Sequence, residues 1–386
     1  MLRLRRGRES RARVHPWIFE GDVAQVSDVE PGGAVTVVDA AGRFVGRGFY
    51  NPRPALCCRI ATRVDEPLDA GFFRRRVEAA LARRARGGEV PGLARLVWSE
   101  ADGLPGLVVD RYGAVLVVQC LTLGMARARA EVAGALRSFL GPLPVASMDE
   151  ATPARLEGFE PARGWLDEPG PETVIVEEGG VRLGVRPGTG QKTGLYLDQR
   201  ENRARVGGLA RGRQVLDAFS YTAGFACHAL RAGAERALCI ESSSEAVAGA
   251  RENLALNGVA ERAQITQANA FDELRRLARS RARFGLIVLD PPPFTRGRGA
   301  REAAARGYKE INLRAMRLLE PQGILATFSC SHHVSGEAFE EICRDAAVDS
   351  GMSLRVLEHL TQASDHPVLL TVPETHYLKG LLLEAV

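Results

Sequence analysis

From about residue 172 onward, short apolar runs alternate with helical stretches in units of about 30 residues, and this rhythm constrains the fold more than any other feature of the chain. RQVLDAF, RALCIES, AQITQAN, FGLIVLD and GILATFSC are the apolar runs. AVAGARENLAL and INLRAMRLL show the helical spacing between them. Strands separated by helices pair in parallel through right-handed crossovers, which predicts an α/β fold with an open, doubly wound sheet. A hairpin, VIVEEGGVRLGV, precedes the sheet, and HYLKGLLLEAV is expected as a final edge strand.

In such a sheet a ligand sits beyond the carboxyl ends of the strands, where the strand order reverses. The residues to weigh are therefore 219–224, 241–244, 269–271, 290–294 and 329–333. The turn DAFSYTAGF brings Asp217, Phe219, Tyr221 and Thr222 beside a helix N-terminus. It lacks GxGxxG, so a nucleoside suits it better than a pyrophosphate. Glu241, followed by Ser242, ends the second run, where a carboxylate accepts two ribose hydroxyls. A helix-capping acid would look the same, and NAD would be held similarly. Asn269 and Ala270 follow the third run.

The fourth run, LIVLDPPPF, carries Asp290 directly into Pro291, Pro292 and Pro293, with Phe294 after them. Prolines fix an extended rim, so Asp290 and the following carbonyls point into the cleft. An Asp-Pro-Pro-x-Phe stop at this address resembles the base-methylating branch of class I S-adenosylmethionine-dependent methyltransferases. That resemblance implies a flipped base gripped by Asp290 and the carbonyls after it, with Phe294 on its face.

Cys330 ends the fifth run, flanked by Ser329, Ser331, His332 and His333. A cysteine is often plain core filler, but this one has polar neighbours on the ligand side. Carbon 5 of cytosine is a poor nucleophile, and a thiolate added to carbon 6 makes it enamine-like. Asp290 at the N3 and amino edge would stabilise the developing charge. His332 and His333 are candidates for the base that removes the carbon-5 proton; equally, they cap the loop. Ahead of the sheet, GTGQKTGLYLDQRENR gathers Gln191, Lys192, Thr193, Asp198, Gln199 and Arg200. Asp198 and Arg200 match the amino and carboxyl ends of methionine, or Asp198 caps a helix.

The first half reads differently. Residues 14–66 alternate apolar and polar positions between turn signals, as in a small β-rich module. Helical spacing follows at 68–86, with Phe72, Val77, Ala80 and Leu81 apolar. LARLVWSE and GLVVDRYGAVLVVQCL form a hairpin-like stretch, a helical run lies near 125–139, and the Pro- and Gly-rich 141–171 reads as a connection. The resulting division is 1–67, 68–171 and 172–386. Net charge is only +4, so nucleic-acid binding must rest on local patches such as Arg3, Arg5, Arg6, Arg8, Arg11 and Arg13, or the cluster between Arg74 and Arg86. Lysine occurs only at Lys192, Lys309 and Lys379. The arginine bias suits phosphate, and a GC-rich genome would produce it as well. Seven cysteines without a CxxC pair argue for reduced thiols in a cytoplasm and against a zinc site, and no apolar run is long enough to span a bilayer.

Taken in order, HPWIFEGDV, QKTGLYLDQRENR, DAFSYTAGF, DPPPF and FSCSHHV resemble the bacterial and archaeal ribosomal RNA cytosine-C5 methyltransferases acting on the large subunit. The resemblance covers essentially the whole chain. It implies an N-terminal PUA domain, a connecting α/β domain and a seven-stranded class I methyltransferase domain with an antiparallel last strand. It also implies S-adenosylmethionine as cofactor, Cys330 as nucleophile with Asp290 its partner at the base, and Glu241 and Asn269 on ribose and adenine. Asn269 departs from the family, which has Asp at this place. Arg3, Arg5 and Arg6 would grip RNA phosphates. Partners are then large-subunit ribosomal RNA without metal or membrane, and a homodimer is left open. Competing readings are a methyltransferase of the guanine amino group, a non-catalytic RNA-binding adaptor that keeps the nucleoside site, and an NAD-dependent dehydrogenase, which the missing glycine fingerprint disfavours.

Overall fold

The computed structural model describes residues 1–188, 194–294 and 300–386. The chain divides into two compact units. One comprises Met1–Val176, Val185–Leu197 and Ser364–Thr375; the other comprises Glu177–Gly184, Asp198–Ala363 and His376–Val386. No helix among the described residues is long and apolar enough to cross a membrane.

The second unit is built on seven strands: β1 (Gln214–Ala218), β2 (Arg236–Glu241), β3 (Ala263–Gln267), β4 (Phe284–Leu289), β5 (Leu319–Ser329), β6 (Leu354–Thr361) and β7 (Lys379–Ala385). Their spatial order is 3-2-1-4-5-7-6, with β1 to β5 parallel and β7 antiparallel to both β5 and β6. β4 is buried along its whole length, as expected of a parallel strand covered by helices on both faces. The helices are α1 (Gly224–Arg231), α2 (Ser244–Leu256), α3 (Ala270–Arg279), α4 (Ala300–Arg317) and α5 (Gly336–Ser350). Ser243, Asn269 and Ser335 cap α2, α3 and α5 by accepting backbone N–H bonds, which fixes where each strand-end loop stops. HYLKGLLLEAV is not an edge strand. β7 lies inside the sheet with six of its seven residues buried, and β6 takes the edge with exposed Val356 and Leu357.

In the first unit, six short strands form one sheet in the order Trp17–Phe19, Leu56–Thr62, Phe44–Tyr50, Gly33–Val38, Leu2–Leu4, Val23–Val26. The predicted helix at 68–86 is present as Ala70–Ala85, and Phe72, Val77, Ala80 and Leu81 are all buried. GLVVDRYGAVLVVQCL is itself a hairpin, broken at Gly113, where φ is 61°, so three strands meander where two were expected. Segment 141–171 is more than a connection. Val145–Met148 is fully buried and pairs in parallel with Val115–Cys120, and Arg163–Trp165 adds the fifth strand.

Candidate active site

Strand order reverses between β1 and β4, so the turns leaving these strands flank the switch point. After β1, Phe219, Tyr221 and Ala223 take positive φ values of 63°, 48° and 60°. None is glycine, and each such residue costs on the order of 1–3 kcal/mol. Specific bonds impose the shape. Ser220 N–H donates to the Ile240 carbonyl at 3.0 Å, Tyr221 N–H to Glu241 Oε2 at 2.9 Å, and Asn253 Nδ2 to the Thr222 carbonyl at 2.9 Å.

Glu241 thereby ties the turn after β1 to the end of β2. Its Oε1 accepts from Ser242 and Ser243 N–H at 2.7 and 2.8 Å, whereas Oε2 accepts only from Tyr221 in the described structure. A carboxylate offers about four acceptor positions, so Oε2 retains capacity for a ribose hydroxyl. Asn269 is exposed, and its Oδ1 accepts Phe271 N–H at 2.9 Å. The Nδ2 amide is a donor, where an Asp at this place would offer an acceptor. Ala270 is buried as the first residue of α3.

Asp217 is fully buried. Its Oδ2 accepts Ala226 N–H of α1 at 3.0 Å, and its Oδ1 has no partner among the described residues. Burial pushes its carboxyl up to about 7; nearby Asp290 and Glu241 add to the rise, against the lowering by the Ala226 bond and Arg203. Asp198 and Asp290 both act on buried Arg203, but that guanidinium is already matched by Glu178. Among the described residues, the carboxyl groups of Asp198, Asp217, Glu241 and Asp290 thus gather around Arg203, itself paired with Glu178. Such an excess of carboxylates fits a ligand with a sulfonium and an ammonium group.

Asp198 does not cap the following helix, where Gln199 occupies the cap position without a side-chain bond. Instead Asp198 Oδ2 accepts the Tyr377 hydroxyl at 2.6 Å. Arg200 approaches Glu201 at 4.0 Å. Gln191, Lys192 and Thr193 lie outside the described residues.

On the opposite side, Pro291 is buried and Pro292 and Pro293 are exposed. Phe294 packs on Tyr308 with ring centroids 4.6 Å apart, and on Phe271 at 5.4 Å and Phe219 at 6.4 Å. Gly307 makes room for it, since a Cβ there would lie 2.9 Å from Phe294 Cδ2. Only the remaining, exposed part of the ring is open to a base. Cys330 is the half-buried member of the seven cysteines; the other six are buried. Burial pushes the Cys57 thiol up to about 11 and those of Cys120 and Cys227 to about 12, which leaves them poor nucleophiles. Cys330 Sγ lies 3.9 Å from the Pro291 carbonyl oxygen, so the thiol faces the excursion that begins at Asp290.

Sequence reasoning missed three residues here. Tyr377 holds Asp198, and its ring lies 6.1 Å from that of exposed His332. Tyr308 of α4 is buried within reach of both Cys330 and Asp290, and Lys379 sends Nζ to the Ser331 carbonyl at 2.7 Å. Signals existed only in the rarity of lysine and in the polar HYLK start of a buried strand. In the first unit, Arg3 Nη1 donates to the Ala40 carbonyl at 3.1 Å and Arg5 Nε to that of Val23 at 2.9 Å, while Arg6 is exposed. The second arginine cluster is largely absorbed: Arg84 is buried on Asp102, Arg75 pairs with Glu66, and Arg74 and Arg76 cover Phe139 and Phe72.

Residues 151–383 match the S-adenosylmethionine-dependent methyltransferase family, and residues 2–63 match the PUA-like domain. The chain is 38% identical over 381 residues to ribosomal RNA large subunit methyltransferase I of Alteromonas mediterranea, covering 97% of this chain and 96% of that protein. It is 39% identical over 389 residues to the protein of the same name from Shewanella frigidimarina, covering 99% and 98%. Among solved structures, a protein from Streptococcus mutans assigned as a SAM-dependent methyltransferase shares the fold with a TM-score of 0.85 at 19% identity over 99% of each chain. A structure assigned as a methyltransferase and complexed with SAH gives 0.84 at 19% identity over 100% of each chain. With its PUA-like N-terminus, its reversed seven-stranded sheet and these relatives, the chain belongs to the S-adenosylmethionine-dependent methyltransferase family.

Proposed function

We propose that this methyltransferase forms 5-methylcytidine in large-subunit ribosomal RNA, with Cys330 as a transient covalent nucleophile and Asp290 as its partner at the base. The observation that carries this reading is the contact of Cys330 Sγ with the carbonyl directly after Asp290, at the one half-buried cysteine of the chain. The names of the relatives supply the RNA class. Asp198, Asp217, Phe219, Tyr221, Thr222, Glu241, Ser242, Asn269 and Ala270 would hold S-adenosylmethionine, which supplies an electrophilic methyl group when bound. Addition of the Cys330 thiolate to carbon 6 makes carbon 5 nucleophilic, and Asp290 stabilises the charge at the N3 and amino edge. Loss of the carbon-5 proton lets Sγ leave and restores the ring. Pro291, Pro292 and the open part of Phe294 line the base side. Arg3 and Arg5 each use one donor of about five on a carbonyl, which leaves the rest, with Arg6, for RNA phosphate. A PUA-like module at 1–67, a connecting part at 68–171 and a catalytic part at 172–386 complete the division of labour, in a cytoplasmic setting.

The test is nucleoside mass analysis of large-subunit RNA incubated with the protein and S-adenosylmethionine. 5-Methylcytidine is expected. Methylation on the guanine amino group, or no product with cofactor still bound, would replace this reading.

Asp217 gives a separate expectation. Its carboxyl is raised from 3.8 to about 7, so the stability its protonation contributes is fully present below about pH 4 and lost as pH rises through about 7. A cofactor of net positive charge favours the ionised form and so releases a proton on binding. Calorimetry at pH 6.5 in buffers of different ionisation enthalpy should show release of up to about one proton. The release should vanish by pH 9 and in Asp217→Asn; buffer-independent heats at pH 6.5 would contradict it.

A further inference from the structure

The chain buries one lysine beside the candidate nucleophile. Lys379 opens β7, in register with Ser329 of β5 on one side and Thr361 of β6 on the other, and is only 8% exposed. Lysine is almost never buried without a partner. Its Nζ donates to the Ser331 carbonyl at 2.7 Å and the Tyr377 carbonyl at 2.8 Å. These oxygens hold the ammonium in place but supply no counter-charge. The amine thus starts beside the residue that precedes Cys330 and ends on the carbonyl of the residue that follows it.

The ionisable groups on the elements around this point include Cys330 on the loop after β5, Asp290 following β4, Tyr308 on α4, Glu337 at the start of α5, Tyr377 with Asp198 behind it, and exposed His332, His333 and His376. Burial pulls the Lys379 ammonium down to about 8, and Cys330 is the group that pulls it back up. The lysine is thus tied to both chain neighbours of the thiol, Ser329 through strand register and Ser331 through its carbonyl. An ammonium has three donors, of which two go to carbonyls and one remains for an anion.

We propose that the Lys379 ammonium is a positioning residue that holds Cys330 as a thiolate before cytosine arrives. The inference rests on Cys330 being the nucleophile. On ionisation the thiol proton goes to water, and the ammonium keeps its own three hydrogens. The same charge favours departure of the thiolate when the bond to carbon 6 breaks. An ordinary thiol, with a pKa of about 8.5, is only a few per cent ionised at pH 7, so a fixed neighbouring cation raises the reactive fraction directly.

The test is the pH dependence of Cys330 alkylation by iodoacetamide in the full-length protein without RNA, with the modified residue read by peptide mass spectrometry. In the wild type the midpoint should lie at least about one pH unit below the 8.5 of a free thiol. Lys379→Met should move it up by about one unit, equivalent to roughly tenfold slower alkylation at pH 7, and Lys379→Arg should restore it. The pH profile of methyl transfer should move with it, and S-adenosylmethionine binding should not change. A wild-type midpoint at or above about 8.5 overturns the inference whether or not the variants fold. So does a Lys379→Met variant that binds cofactor and keeps the wild-type midpoint. Either result would leave the Cys330 assignment intact, because that assignment fails only if Cys330→Ala still makes 5-methylcytidine.

Discussion

Replacing Cys330 by Ala should lower RNA methylation by a factor on the order of 10⁴–10⁶ while cofactor affinity stays within about twofold. A nucleophile that carries a covalent step cannot be replaced by proximity alone, because carbon 5 of cytosine does not become reactive without addition at carbon 6. The truncation is small and local. Cys330 is half-buried, follows the end of β5, and lies 3.9 Å from a backbone carbonyl, so its loss opens no cavity in the core. Glu241 and Asn269, proposed to hold the cofactor, stand on other strand ends and keep their own bonds. Rate measurements on saturating RNA, paired with calorimetric titration of cofactor, would check both halves. Turnover within tenfold of wild type would remove the covalent mechanism and favour methylation of an exocyclic nitrogen.

Glu178→Ala should cost about 3–5 kcal/mol of stability in the catalytic unit, the largest structural effect expected of any single side chain here. Glu178 accepts Arg203 Nε and Nη2 at 2.7 Å each and pairs with His228 Nε2 at 3.0 Å, and all three residues are buried. Removing the carboxylate takes away the bidentate partner of a buried guanidinium. Burial alone would raise the Glu178 carboxyl, but Arg203 and His228 bring it down from 4.5 to about 2. A lowered carboxyl stabilises the fold above its unfolded value and loses that contribution as the pH falls through its folded value. Wild-type stability should therefore fall between about pH 4.5 and 2 along a limb that Glu178→Ala lacks. Urea unfolding at a series of pH values reads both effects, and an unchanged midpoint at pH 7 would contradict the assignment. Local loosening should also reach the cofactor site, because a Cβ on Gly224 would lie 2.8 Å from Arg203 Cδ and Gly224 begins α1.

What the sequence made legible follows from the range of the interactions involved. β1 to β4 are written in contiguous apolar runs, and their carboxyl-end residues are where the switch-point rule puts them. Cys330 and Asp290 could be named because each ends such a run. Lys379 could not, since its meaning comes from pairing with Ser329, fifty positions away, in a strand whose place inside the sheet no local pattern announces. Arg84 looked like a surface charge because helical spacing does not show Asp102 waiting beneath it. Val145–Met148 hid among prolines and glycines because four residues are too few to display a period. The strain at Phe219, Tyr221 and Ala223 was equally invisible, as it is imposed by Ile240 and Glu241 on the next strand.

The most direct test of the covalent account is to present the protein with S-adenosylmethionine and large-subunit RNA carrying 5-fluorocytidine, then look for a stable protein–RNA adduct under denaturing conditions. With fluorine on carbon 5 there is no proton to lose, so the Cys330 Sγ bond to carbon 6 cannot break. The wild-type protein should migrate as an adduct whose cross-linked peptide contains Cys330, and Cys330→Ala should give none. Absence of an adduct with a wild-type preparation that methylates the unsubstituted RNA would contradict the account.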